Sequence, residues 1–313
     1  MLLQRDKEVF QELVIATASD LGLENFQVEK DYYVSLFLKA LTKLESNISI
    51  VFKGTSLSKC NSIIDRFSED IDLALQFKSA KVTPGERKHL KNSILEVINI
   101  LNMTLLNEGD IRSGRDHNEY HIGYANTFNG DGKMVPHIIV ETIVVYRPYP
   151  CVNLDVSNYI TKYLTKASED QLIAKYELEP FKMLIQSVER TFIDKLFAIC
   201  DYHLEGKYNR YSRHIYDIHM IWQSGKLNME LVKSIVSDVV KDRQIYGVRN
   251  SSCLPGAKPI EILREIIKTN VYENDYNDVT SKFIYKLVDY SAAIKSLTEI
   301  IDSNIIPSLI EAY

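Results

Sequence analysis

Lys53-Gly54-Thr55-Ser56-Leu57 and, about one short helix later, Arg66-Phe67-Ser68-Glu69-Asp70-Ile71-Asp72-Leu73 decide the reading of this chain. Asn47 to Phe52 alternates and is rich in Ile and Val, which predicts a strand entering the first stretch. Leu57 to Ile64 reads as a short helix leaving it, and Asp70 to Phe77 as the next strand. Glycine lets a ligand approach the backbone, and a helix N-terminus favours an anionic phosphate, so Gly54, Thr55 and Ser56 form a candidate triphosphate turn. The plainer alternative is an ordinary strand-to-helix turn with Ser56 or Thr55 as N-cap. Asp70 and Asp72 are separated by one residue, so on a strand they share a face, roughly 6.6–7 Å apart along it. Two such carboxylates suit Mg²⁺, which prefers hard oxygen ligands. The alternative here is a solvated strand edge.

Working outward, residues 7–44 read as two helices, the second with Val34, Phe37, Leu38 and Leu41 at helical spacing. Pro84 opens a long helix running to about Asn107. Glu119 to Asn126 and Val135 to Tyr146 read as strands, and the second is apolar on both faces, as a central strand would be. Glu141 lies inside that run and is the candidate third metal ligand; a carboxylate there is costly unless it is paired or binds metal. Beyond Pro150 the pattern turns helical, after one last strand from Phe181 to Ser187. The order predicts an α/β domain over residues 1–187 and a helical domain over 188–313.

The helical half carries two polar blocks. In Glu189-Arg190-Thr191-Phe192-Ile193-Asp194-Lys195-Leu196, Thr191 and Asp194 resemble a capping box at a helix start. Lys195 borders the apolar face made by Phe192, Leu196, Ile199 and His203, where a lysine can bury its stem and point its ammonium into a cleft; the plainer alternative is a surface lysine. In Arg210-Tyr211-Ser212-Arg213-His214-Ile215-Tyr216-Asp217, Arg213 and Asp217 are four apart and suit a helical ion pair. Alternatively, Asp217 orients the cluster while Arg210 and Arg213 face nucleotide or RNA. His214 reads as a structural hydrogen-bonding residue.

Composition narrows the classes. With 45% hydrophobic and 25% charged residues, the chain has an ordinary globular balance, and its length suits two domains. A net charge of −5 argues against a bulk nucleic-acid coat, though not against a local basic patch. The cysteines, Cys60, Cys151, Cys200 and Cys253, have neither zinc spacing nor a disulfide pattern, which fits a reducing cytoplasm. No apolar run approaches a membrane span, and the early residues lack a secretory core, so a cytoplasmic protein with no membrane partner is expected.

Four blocks, taken in order, resemble the AbiEii-type nucleotidyl transferase toxins of the DNA polymerase β-like superfamily. They are Val28-Glu29-Lys30-Asp31-Tyr32-Tyr33-Val34; Gly54-Thr55-Ser56-Leu57 with Arg66-x-Ser68-x-Asp70-Ile71-Asp72-Leu73; Glu189-Arg190-Thr191-Phe192 through Lys195-Leu196; and Arg210-x-Ser212-Arg213-His214-x-Tyr216-Asp217-Ile218. The resemblance spans about residues 25–225 and departs at Lys53, where the family often has a second glycine, and at Tyr33, where it often has Trp. It implies a mixed nucleotidyltransferase sheet with flanking helices, followed by a helical bundle facing it across a cleft. It also implies that Gly54 and Ser56 hold the triphosphate, Asp70 and Asp72 bind Mg²⁺, Lys195 binds phosphates and Asp217 completes the active site. Such proteins are usually toxins with a cognate antitoxin, and some relatives add nucleotides to tRNA 3′ ends.

The expected chemistry is metal-dependent transfer of NMP from an NTP to an acceptor hydroxyl. Two alternatives keep part of it: a small-molecule or protein acceptor, or a nucleotide-binding interaction module without turnover. Ser68 adds a regulatory expectation, since phosphate two residues before Asp70 would repel an incoming triphosphate.

Overall fold

A computed structural model describes residues 1–44, 48–54, 56–66, 70–77, 81–130, 135–246, 249–284 and 286–313. The chain divides into two compact units: residues 1–61 with 68–185, and residues 62–67 with 186–313.

The first unit is a mixed α/β layer structure. Its elements run α1 (Lys7–Leu21), α2 (Asn25–Lys43), β1 (Ser49–Phe52), α3 (Ser56–Lys59), β2 (Asp70–Gln76), α4 (Pro84–Ile100), β3 (Thr104–Leu105), β4 (His117–Gly123), β5 (Ile138–Ile143), β6 (Cys151–Val156), α5 (Tyr159–Lys166), α6 (Asp170–Lys175) and β7 (Phe181–Gln186). Among the described residues the seven strands form one sheet in the order β3-β4-β5-β2-β1-β7-β6. β2 runs antiparallel to β1 and parallel to β5, and β4 is antiparallel to β5. Along β2, β4 and β5, Ile71, Leu73, Tyr120, Ile122, Ile138 and Val140 are buried in the core, while Asp70, Asp72, Glu119 and Glu141 alternate onto a half-exposed face. β5 therefore lies inside the sheet but is not covered on both faces, contrary to its apolar sequence. That partial exposure is what makes the Glu141 carboxylate tolerable there.

Helix α2 fills the buried side. Val34, Phe37, Leu38 and Leu41 are all sequestered, as their spacing predicts. Its charged block is buried too, and each charge has a partner in this unit. The Glu29 carboxylate accepts the backbone N–H groups of Thr127 (2.8 Å) and Phe128 (3.1 Å). Lys30 Nζ donates to the Val135 carbonyl at 3.2 Å. Asp31 accepts the Tyr159 N–H at 2.8 Å and pairs with Lys59 Nζ, which also donates to Ser35 Oγ at 2.9 Å. This last brace fastens α3, and with it the turn at Gly54, to the centre of the unit.

Several elements are shorter than their sequence predicts. α3 stops at Lys59 because the Asn61 backbone N–H and side-chain amide both turn back to Ser56 O, and Ser62 has φ +48°. α4 stops at Ile100, where Asn102 adopts φ +52° and the Met103 N–H closes onto Ile98 O. β6 forms where a helical pattern was expected.

The second unit is helical: α7 (Val188–Leu204), α8 (Arg213–Gln223), α9 (Met229–Gln244), α10 (Pro259–Thr269), α11 (Glu273–Asp278) and α12 (Tyr290–Asp302). α7 packs on α8, α9 and α10, and α12 packs on α8 and α10. α7 begins one turn earlier than the Thr191–Asp194 capping box predicts. Ser187 is its N-cap and accepts the Arg190 N–H, while Thr191 Oγ1 instead donates to Ser187 O.

Candidate active site

In the first unit the predicted turn and carboxylates converge. The Lys53 N–H donates to Asp72 O at 2.9 Å, continuing the β1–β2 ladder into the turn. Gly54 follows with φ +50°, and a Cβ built there would lie 1.8 Å from Asp72 Oδ2. Only glycine leaves room for that carboxylate against the backbone. Ser56, first residue of α3, is fully buried, and its Oγ has no hydrogen-bond partner. An orphaned hydroxyl of this kind is costly unless a ligand completes it. Thr55 and Ser68 lie outside the described residues.

Asp70 and Asp72 stand on the half-exposed face of β2, in register with Ile139 and Glu141 of β5. Glu141 is itself in register with Glu119 of β4, so three acidic residues form a row across the sheet. Neighbouring strands lie about 4.8 Å apart. Glu141 Oε2 lies 3.4 Å from His117 Nε2, and Glu119 contacts His121, which stacks on His137 at 4.8 Å. Among the described residues no three His, Cys, Asp or Glu side chains are grouped closely enough to cage a metal. The hard oxygens of Asp70 and Asp72, beside a cradle a Cβ would fill and an unpartnered hydroxyl, do fit a divalent cation carried in with a phosphate ligand.

The second unit holds a separate charge cluster. Asp217, on α8, is fully buried and accepts Arg66 Nε at 2.7 Å, Arg66 Nη2 at 2.8 Å and Lys195 Nζ at 2.7 Å. Burial alone would raise its pKa, but the two cations hold the carboxyl well below the usual range. The four-residue pairing of Arg213 with Asp217 does not supply this; Arg213 is exposed, and Arg66 takes its place from far away in sequence. Beside the cluster, Tyr216 Oη accepts the Asp65 N–H at 3.2 Å.

Arg210 is also exposed and has φ +68°. Its N–H donates to Asp275 Oδ1 at 2.7 Å, while Asp275 Oδ2 accepts the Ser212 N–H at 3.1 Å and the Ser212 hydroxyl at 2.6 Å. Asp275 thus holds the turn that presents both arginines, a role that no local pattern around it signals. At the start of the second unit's other polar block, Glu189 accepts the Asn228 N–H, and buried Arg190 bonds Asp194 and faces Asp242 at 3.6 Å.

His214 stacks on Tyr211 and lies tilted beside Tyr202, and its buried Nδ1 has no hydrogen-bond partner, contrary to the structural hydrogen bond expected of it. Desolvation, followed by the charges of Lys195 and Arg213, pushes its pKa well below the ordinary 6.5. The folded state therefore binds fewer protons than the unfolded chain as pH falls below about 6.5, and stability falls with it. Melting scans from pH 7.5 to 5.0 should show this decline, with a shallower slope in His214→Phe. Parallel slopes for the two proteins would show that His214 contributes nothing.

A family model described as nucleotidyl transferase AbiEii toxin, type IV toxin–antitoxin system, matches residues 36–302. The chain belongs to the AbiEii family. AbiEii membership makes it a nucleotidyltransferase and implies a nucleotide substrate and an antitoxin partner. No curated protein matches the chain. Among solved structures, JHP933 from Helicobacter pylori is 16% identical, with TM-score 0.46, covering 90% of this chain and 94% of that one. A second H. pylori protein, named provisionally as a nucleotidyltransferase, is 15% identical, with TM-score 0.48, covering 90% and 97%. Among the described residues of this AbiEii chain, no helix is long and apolar enough to cross a membrane.

Proposed function

We propose that this chain transfers a nucleoside monophosphate from an NTP to an acceptor hydroxyl, with Mg²⁺ held by Asp70 and Asp72, and acts in the cytoplasm as the toxin of a toxin–antitoxin pair. The observation that carries this reading is the packing of Gly54, in the turn itself, against the Asp72 carboxylate, two residues before the orphaned Ser56 hydroxyl. A phosphate oxygen would accept from the Ser56 hydroxyl, while the Ser56 and Leu57 backbone N–H groups already donate to Lys53 O and Gly54 O. Glu141, one strand over, supplies a further hard oxygen. When bound, the metal supplies positive charge that acidifies the acceptor hydroxyl and steadies the leaving pyrophosphate. In the second unit Lys195 is the phosphate-binding cation, with Asp217 fixing its ammonium. Exposed Arg210 and Arg213 are the candidate contacts for an RNA acceptor such as a tRNA 3′ end.

The test is incubation of the purified chain with each α-labelled NTP, Mg²⁺ and total RNA, with parallel tubes of total protein and aminoglycosides. Label on RNA supports the proposal. Label on protein or small molecule alone overturns the RNA acceptor and leaves the chemistry standing. Nucleotide binding without pyrophosphate release points to a module without turnover.

Gly54→Ala offers a sharper check. The added methyl collides with Asp72 Oδ2 at a positive φ, so the carboxylate must move. Displacement on the order of 1 Å costs about a hundredfold in rate. Single-turnover labelling should show that loss, and Gly54→Ala transferring at the wild-type rate would remove the carboxylate cradle from the mechanism.

A further inference from the structure

The first unit contains a cavity of about 250 Å³, away from the Asp70–Asp72 face. Its wall is largely apolar, and Tyr32, Leu36, Ala40, Leu101, Leu178 and Phe181 are among the residues that line it. The charged residues that line it are already matched. Lys39 Nζ donates to the carbonyls of Glu177 (2.7 Å) and Glu179 (3.1 Å) and lies 3.7 Å from the Glu179 carboxylate. Lys43 Nζ lies 3.9 Å from the Glu177 carboxylate. The Met1 ammonium also lies 3.1 Å from the Glu177 carboxylate, so each of these charges already faces an opposite one. An apolar hollow of about 150 Å³ binds benzene, so this one takes a molecule of roughly ten non-hydrogen atoms.

One lining residue ties the cavity to the rest of the unit. Ser35 reaches the cavity wall, and its Oγ accepts from Lys59 Nζ at 2.9 Å. Lys59 is the last residue of α3, the single-turn helix that begins at Ser56. Its only other ties in this brace are Asp31's carboxylate and carbonyl, both on α2 beside Ser35. A molecule pressing on Ser35 therefore presses on the anchor of α3.

We infer that this cavity is a binding site for a neutral, mainly apolar small molecule of bicyclic size, and that its occupancy is transmitted to α3 through Ser35 and Lys59. Occupancy adds dispersion contacts to a wall that lacks them and restrains the α2 segment carrying both Ser35 and Asp31.

The probe is 2-naphthol, neutral at pH 7 and fluorescent, titrated into the full chain. Saturable binding is expected, at least tenfold tighter than that of 2-naphthalenesulfonate, and weakened at least tenfold by Ala40→Phe, which fills the cavity. Leu44→Trp, at a partly exposed lining position, serves as a second filling variant should Ala40→Phe not fold. Non-saturable binding, equal or tighter binding of the sulfonate, or undiminished binding by whichever filled variants fold overturns the site. Amide exchange of residues 57–60 provides the second readout. Bound 2-naphthol should slow it at least twofold in wild type but not in Ser35→Ala. Binding with unchanged exchange in wild type, or equal slowing in Ser35→Ala, overturns the transmission through Ser35. None of these outcomes depends on nucleotide transfer.

Discussion

Asp72→Ala, and independently Asp70→Ala, is expected to lose nucleotidyl transfer by about a hundred- to a thousandfold while the protein stays folded. Ile71, Leu73 and Leu75 bury the opposite face of β2, and the register with β1 and β5 runs through backbone bonds. The loss is therefore chemical: two hard oxygens on one strand face vanish where a divalent cation and triphosphate are to be held. Glu141 does not compensate, because it belongs to the next strand and no three-residue cage is present among the described residues. The assay is transfer of α-labelled nucleotide, with circular dichroism and a melting curve to certify the fold. Wild-type transfer by either variant sinks the mechanism.

Asp217→Ala is expected to do the opposite kind of damage. It removes the buried carboxylate that Arg66 and Lys195 both bond. Breaking a buried pair by deleting one partner costs about 3–5 kcal/mol. For a unit of this size that is a drop of the order of 10 °C in melting temperature. Adding Arg66→Met to Asp217→Leu should recover part of it, since two buried charges are then removed together. The carboxyl's depressed pKa sets the pH window. Asp217 binds fewer protons folded than unfolded, so its contribution is complete above about pH 4 and fades only as pH falls through the lower folded value. A melting temperature unchanged in Asp217→Ala would mean that the cluster is solvated and energetically idle. Transfer assays on Lys195→Met, a milder change, then report on catalysis separately from stability.

Some of this was legible in the residues alone because it is local. Alternation along Asp70–Gln76 placed both aspartates on one face, and the helical spacing of Val34, Phe37, Leu38 and Leu41 placed α2. The turn at Gly54 was legible as a close approach, but the group that approaches is Asp72 as well as any ligand. What escaped is long-range. Arg66 stood inside the quoted motif without a role until α8 delivered Asp217 to it. Asp275 caps a turn lying far upstream. Glu29, Lys30 and Asp31, quoted only as part of the resemblance, are buried braces, each satisfied by a distant segment. Neither periodicity nor capping rules report such partners. The sequence pattern also missed β6, an edge strand whose Val152 and Asn153 are exposed, so burial left little alternation to detect.

The short segment 62–67 has a consequence for inheritance. The chain leaves the first unit after α3, contributes Ile63, Ile64 and Arg66 to the second, and returns in time to begin β2. A fragment ending after β7 would carry the guanidinium of Arg66 without the carboxylate made for it. Recombination at that seam would thus be penalised in either parent, and lineages should exchange the two halves as a pair, with substitutions at positions 66 and 217 travelling together.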